Sequence, residues 1–68
     1  MDKERVIEFF GGLDETASAM EYTASNVRQW PQILPVKIQD RVIGRGLKKF
    51  GLAKTKRAWP AAFERAGA

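Results

Sequence analysis

Neither cysteine nor histidine occurs among the 68 residues of this chain. Disulfide bridges and thiolate metal sites are therefore excluded, as are the commonest zinc ligand and the commonest general base of enzymes. A domain of this length buries only about 60% of the surface that its unfolded chain exposes, so its hydrophobic core is thin. We therefore expect one small domain stabilised by side-chain packing, without metal, cofactor or catalytic role.

The apolar residues are too dispersed for a membrane segment. No apolar stretch approaches the roughly 20 residues that a membrane-spanning helix needs. The N-terminal segment MDKERVIEFF lacks the apolar core of a signal peptide. We therefore expect a cytoplasmic protein with no membrane contact.

The two halves of the chain carry opposite charge. Residues 1–34 contain three basic and six acidic residues, a net charge of −3. Residues 35–68 contain nine basic and two acidic residues, a net charge of +7. Such asymmetry points to a polyanionic partner, although a solvated surface with clustered charges gives the same composition.

Three short helices are predicted before Pro31. Asp2 can cap a first helix over residues 3–10, which Gly11 and Gly12 end. Thr23 can cap a third helix over residues 24–30. The second helix between them begins at Leu13, where small and apolar residues recur at positions i, i+4 and i+7: Leu13, Ala17, Met20.

The sequence of the C-terminal half predicts one long helix followed by a less regular tail. Pro35 suits the first turn of a fourth helix, and we expect that helix to end or distort near Gly44 and Gly46. Residues 51–68 are predicted as a basic tail, with a short helix from Pro60 to Gly67. No segment alternates with the period of a strand, so we expect a small all-α fold of four or five helices, with the main domain over residues 1–50 and the tail after it.

Small and apolar residues between Leu13 and Trp30 have a distinctive spacing. They are Ala17, Met20, Tyr22, Val27 and Trp30. In this spacing the segment resembles the helix-turn-helix of the phage repressor and Cro-like family, which has a small residue in its first helix and apolar residues around a tight turn. The resemblance covers about residues 5–45 and implies a lambda-repressor-like, all-α fold.

Two positions depart from that family's pattern. The turn position commonly occupied by Gly is Glu21, where a left-handed backbone would cost roughly 1 kcal/mol. The first motif helix begins with Leu13, Asp14 and Glu15, where the family commonly places a polar residue against phosphate. These carboxylates weaken a phosphate contact there, although the backbone N–H groups of the helix still favour one.

The resemblance implies a sequence-specific, double-stranded DNA-binding transcription regulator, a repressor or Cro-like switch that reads the major groove with helix 23–30. The candidate base-reading residues are the polar and small residues of that helix: Thr23, Ala24, Ser25, Asn26, Arg28 and Gln29. The candidate phosphate contacts are the basic residues between Gly44 and Trp59: Arg45, Lys48, Lys49, Lys54, Lys56 and Arg57. When bound to DNA, such a protein is associated with the nucleoid.

One recognition helix, roughly 12 Å long, contacts few base pairs, so we expect a homodimer on a pseudo-palindromic operator. Trp59 and Phe63 could contact the second copy or pack back on the domain. Two alternatives stay open. One is a helical bundle with no DNA role, and the other is an antitoxin-like or adaptor module that binds a protein through the acidic N-terminal half.

Overall fold

The computed structural model describes the backbone of residues 1–67 and the side chains of residues 1–64. This part of the chain is all-α, as predicted, with an isolated antiparallel bridge between Asp2 and Ile33 in place of a sheet. Its helices are α1 (Lys3–Phe10), α2 (Leu13–Met20), α3 (Ala24–Arg28), α4 (Val36–Phe50), α5 (Leu52–Ala58) and α6 (Pro60–Gly67). None of these helices is long and apolar enough to cross a membrane.

The predicted bounds of α1 follow from the residues at its two ends. The Asp2 carboxylate accepts a hydrogen bond from the backbone N–H of Glu4 at 3.1 Å and so caps the first turn. At the other end Gly11 has φ 103°, and its N–H donates to the carbonyls of Ile7 and Glu8. A left-handed residue at this position ends the helix, and glycine adopts that conformation without a steric penalty.

The core lies between the first four helices and receives Trp59 from the C-terminal segment. Val6, Met20, Val27 and Val42 are fully buried. Trp59 is 8% exposed, and its ring lies 4.6 Å from that of Phe9. Of the two placements left open for Trp59, the structure therefore has the ring packed on the domain. The half-buried Phe9 ring also contacts Phe10 and Phe50, and we call these four rings the aromatic cluster: Phe9, Phe10, Phe50 and Trp59.

The prediction that the fourth helix ends near Gly44 and Gly46 is wrong, because α4 continues to Phe50. Gly46 is buried, and a β-carbon built on it would lie 3.1 Å from both Phe9 Cε2 and Thr55 Oγ1. The missing side chain thus allows α1 and α5 to approach α4 closely. We infer that this packing offsets the unfavourable helix propensity of glycine.

The C-terminal segment contains a helix that was not predicted. Gly51, with φ 90°, separates α4 from α5, and the described chain therefore has six helices where four or five were expected. Thr55 is the buried residue of α5, whereas Leu52 is 59% exposed. The apolar periodicity that indicates a helix is consequently absent from this segment. The predicted short helix from Pro60 to Gly67 is present as α6.

Candidate nucleic-acid interface

The outer face of α3 is polar and open to solvent. Of the six candidate base-reading residues, Ala24 is half-buried and the other five are exposed: Thr23, Ser25, Asn26, Arg28 and Gln29. These side chains belong to α3 and the two residues that cap it, so they form a continuous surface. Their amide, hydroxyl and guanidinium groups can donate to or accept from base edges.

The predicted reading helix is shorter than expected. It ends at Arg28, and Gln29 is its C-cap, with φ −80° and ψ −6°. Trp30 precedes Pro31, and a residue before proline is disfavoured in the α region. Gln29 therefore lies at the C-terminal end of the polar surface, just beyond the last residue of α3.

The inner face of α3 is fixed by packing against α2. Val27 is fully buried and Trp30 is 8% exposed, and the Trp30 ring meets the Tyr22 ring edge-on at a centroid distance of 6.0 Å. Ala17, on α2, is buried and leaves room for the close approach of the two helices. The five residues chosen by their spacing thus lie on the inward side, with Tyr22 half-buried and the others buried.

Both ends of α3 carry polar contacts. The Thr23 hydroxyl accepts a hydrogen bond from the backbone N–H of Asn26 at 3.1 Å, which confirms Thr23 as the N-cap. At the other end the Lys3 ammonium donates to the carbonyl oxygens of Arg28 and Trp30. A cation at a helix C-terminus is favourable, because it satisfies free carbonyls and complements the helix dipole. Lys3 is therefore a positioning residue that the sequence did not reveal.

The turn between α2 and α3 contains a residue with left-handed backbone. Glu21 has φ 61° and ψ 37°, and it is the one non-glycine residue with positive φ in the described chain. Its N–H donates to Ser18, and the Tyr22 N–H donates to Ala17 at 2.8 Å. The turn therefore closes α2 by satisfying its last carbonyls.

Two arginines of α4 contact this turn. The Arg45 guanidinium donates to the Glu21 carboxylate at 3.0 Å. The Arg41 guanidinium lies over the Tyr22 ring, 5.5 Å from its centroid. These arginines are four residues apart and so lie on the same side of α4. Arg45 was a candidate phosphate contact, whereas Arg41 was not.

The energetics of Glu21 are nearly balanced. A non-glycine residue in the left-handed region costs roughly 1 kcal/mol. An ion pair as exposed as this one, with the Glu21 side chain 72% exposed, contributes about 0.2–1 kcal/mol before screening by salt. The pair therefore offsets at most the strain, and glycine at this position would be equally or more stable.

The other candidate phosphate residues lie in different environments. Lys48 and Lys49 extend from the last turn of α4, and Lys56 and Arg57 from the last turn of α5; all four are exposed. The Lys54 ammonium instead lies over the Phe50 ring at 3.9 Å, beside a cavity of about 620 Å³ that Glu4 and Glu8 also line. Lys54 is thus engaged with two rings of the aromatic cluster, those of Phe9 and Phe50.

The first turn of α2 has the acidic character expected from the sequence. Asp14 and Glu15 are exposed, and Leu13 is half-buried. The helix has Gly12 as its N-cap, with no side-chain hydrogen bond to the first turn. An approaching phosphate would meet free N–H groups and two carboxylates together, so this end of α2 is a weaker anion site than a neutral helix start.

Comparison with family models, curated proteins and solved structures finds no match to this chain. The interpretation of the surface therefore depends on its own geometry. The signal that could have revealed Arg41 is its spacing from Arg45, because residues four apart on one helix share a face. Lys3 offers no such signal, since it contacts residues 25 and 27 positions away.

Proposed function

We propose that this chain is a sequence-specific, double-stranded DNA-binding transcription regulator of the phage repressor or Cro-like type. In this proposal α2, the Glu21 turn and α3 act as a helix-turn-helix, and the outer face of α3 enters the major groove. The observation that carries the proposal is the division of α3 into two faces. Val27 is fully buried against α2, while the polar residues predicted to read bases are exposed.

The polar residues of α3 have chemistry suited to base edges. Asn26 and Gln29 can each make paired hydrogen bonds to adenine, and Arg28 can pair with guanine or contact phosphate. The Ala24 methyl group can contact a thymine methyl group. The exposed cations at the ends of α4 and α5 would supply affinity that does not depend on sequence.

The length of α3 requires a second copy. Five residues extend about 7.5 Å along the helix axis, which corresponds to only two or three base pairs at roughly 3.4 Å each. We therefore propose a homodimer on DNA that places one α3 in each of two major grooves, with half-sites about one helical turn apart.

A comparison of two variants tests whether α3 determines sequence preference while the exposed cations of α4 determine sequence-independent affinity. Gln29→Ala is expected to change the preferred sequence and to leave the salt dependence of binding nearly unchanged. The double variant Lys48→Ala/Lys49→Ala is expected to weaken binding to all duplexes alike, and to lower the slope of log K against log salt by about 0.9 for each phosphate that is no longer neutralised. Binding curves on several duplexes at three or more salt concentrations measure both effects. Equal losses from the two variants on every sequence would contradict the proposal.

A further inference from the structure

Four basic residues form one row along α4. Lys37, Arg41, Arg45 and Lys48 follow one another at spacings of four, four and three residues, which places them on one face of a helix. Asp40, the single acidic residue of α4, is three residues from Lys37 and so lies at the edge of this row. We call these four residues the α4 basic row. Lys37 and Arg41 were not among the residues assigned to phosphate from the sequence.

The middle of the α4 basic row lies at the start of the candidate reading surface. Arg41 contacts Tyr22 and Arg45 contacts Glu21, and these two partners immediately precede Thr23, the N-cap of α3. A duplex held against the N-terminal end of α3 would therefore have its backbone close to both guanidinium groups.

Glu21 is the more exposed partner of its ion pair with Arg45. The Arg45 side chain is 25% exposed, whereas the Glu21 side chain that pairs with it is 72% exposed. The exposed carboxylate of Glu21 thus occupies one hydrogen-bonding site of the Arg45 guanidinium. One carboxylate oxygen of Glu21 accepts from the guanidinium at 3.0 Å, and arginine binds carboxylate and phosphate oxygens by the same kind of charge-assisted hydrogen bond.

We propose that Arg41 and Arg45 form a phosphate-binding pair beside the α2–α3 turn, and that Glu21 is an intramolecular competitor that phosphate must displace from Arg45. This inference rests on the proposed function in taking a nucleic-acid phosphate as the ligand. It adds a regulatory element, because the carboxylate lowers affinity for every sequence. Stability alone does not explain why position 21 is a glutamate. The exposed ion pair stabilises the fold by no more than the backbone strain at this position costs.

The test measures binding of a fluorescently labelled 20-base-pair duplex of arbitrary sequence to the full chain by anisotropy across a salt series. The variants are Glu21→Gln, Arg41→Gln, Arg45→Gln and the double variant Glu21→Gln/Arg45→Gln. Glu64→Gln, which removes the same charge from an exposed residue of α6, is the matched control. Thermal unfolding of each variant checks that the fold is retained.

Freeing Arg45 for one phosphate is expected to steepen the salt slope by about 0.9, which corresponds to roughly eightfold tighter binding of Glu21→Gln at 0.1 M salt. Glu64→Gln should change affinity less than about twofold, because a distant charge is screened over about 10 Å at this salt concentration. Arg41→Gln should make the slope shallower by about 0.9. The gain from Glu21→Gln should disappear in the Arg45→Gln background.

Two results would overturn the inference. One is a gain from Glu21→Gln no larger than that from Glu64→Gln, and the other is a gain that persists when Arg45 is absent. Vesicles containing phosphatidylserine form a parallel arm, and the same dependence on Glu21 with vesicles but not with duplex would also reject a nucleic-acid ligand. Because the duplex has an arbitrary sequence, a failure to find any preferred operator would refute the proposed function and leave this measurement valid.

Discussion

Gly44 and Gly46 lie two residues apart in α4 and so face nearly opposite sides of the helix, and alanine is expected to have opposite effects at the two positions. A β-carbon on Gly44 would meet no atom within 4 Å, and the residue is exposed. Alanine is about 1 kcal/mol more favourable than glycine in a helix interior. Gly44→Ala should therefore raise the free energy of unfolding by about 1 kcal/mol, and the melting temperature by roughly 4–8 °C.

At Gly46 the same methyl group would meet fixed neighbours. Its β-carbon would lie 3.1 Å from Phe9 Cε2 and 3.2 Å from Thr55 Cγ2. Thr55 is fully buried and its hydroxyl donates to the Gly51 carbonyl at 2.9 Å, while Phe9 packs against three other rings. Neither neighbour can move freely, and overpacking of this kind costs typically 1–3 kcal/mol. Alanine also gains about 1 kcal/mol of helix propensity. The net effect of Gly46→Ala should therefore be to lower the free energy of unfolding by about 0–2 kcal/mol.

Urea unfolding of the two variants and the parent chain measures these changes. The fluorescence of the buried Trp30 and Trp59 reports loss of packing, and far-ultraviolet circular dichroism reports loss of helix. Gly44→Ala is expected to be about 1–3 kcal/mol more stable than Gly46→Ala, because both variants gain helix propensity and only Gly46→Ala is overpacked. Equal stabilisation by both substitutions would refute the inference that the close approach of Phe9 and Thr55 to α4 requires glycine.

Three further outcomes are expected. Glu21→Gly should leave the melting temperature unchanged or raise it, because relief of the left-handed backbone offsets the missing ion pair; a clear decrease would contradict this account of the turn. Ala17→Leu should lower the free energy of unfolding by about 1–3 kcal/mol, whereas Ser18→Leu, on the exposed side of α2, should change it by less than about 0.5 kcal/mol. Sedimentation of the full chain over a concentration series with a palindromic duplex should give a complex of two copies per duplex, and a saturated complex of one copy would reject the homodimer.

The residues that start and stop the first helices could be predicted because their signals are local. Asp2 and Thr23 cap their helices with their own side chains, and Gly11 ends α1 through its own backbone conformation. The position of the turn at Glu21 could also be predicted, because the resemblance to the repressor family pattern places a tight turn after Ala17 and Met20. These features need no contact from elsewhere in the chain.

The features that could not be predicted depend on contacts between distant segments. Gly46 has an unfavourable helix propensity, and only the approach of Phe9 and Thr55 explains why α4 continues through it. In the candidate interface, the exposure of α3 followed from its spacing, whereas Lys3 acts at a distance of more than 20 residues. The spacing of Arg41 from Arg45 places both on one face of α4, but only the fold shows that this face meets the turn.

Selection of bound sequences from a random duplex pool tests the central proposal most directly. The full chain is incubated with the pool at moderate salt, and bound duplexes are recovered and sequenced over several rounds. We predict enrichment of a symmetric motif whose half-sites are about one helical turn apart, at 10–10.5 base pairs. If the bound duplexes show no enriched motif after several rounds, the proposal that α3 reads DNA is contradicted.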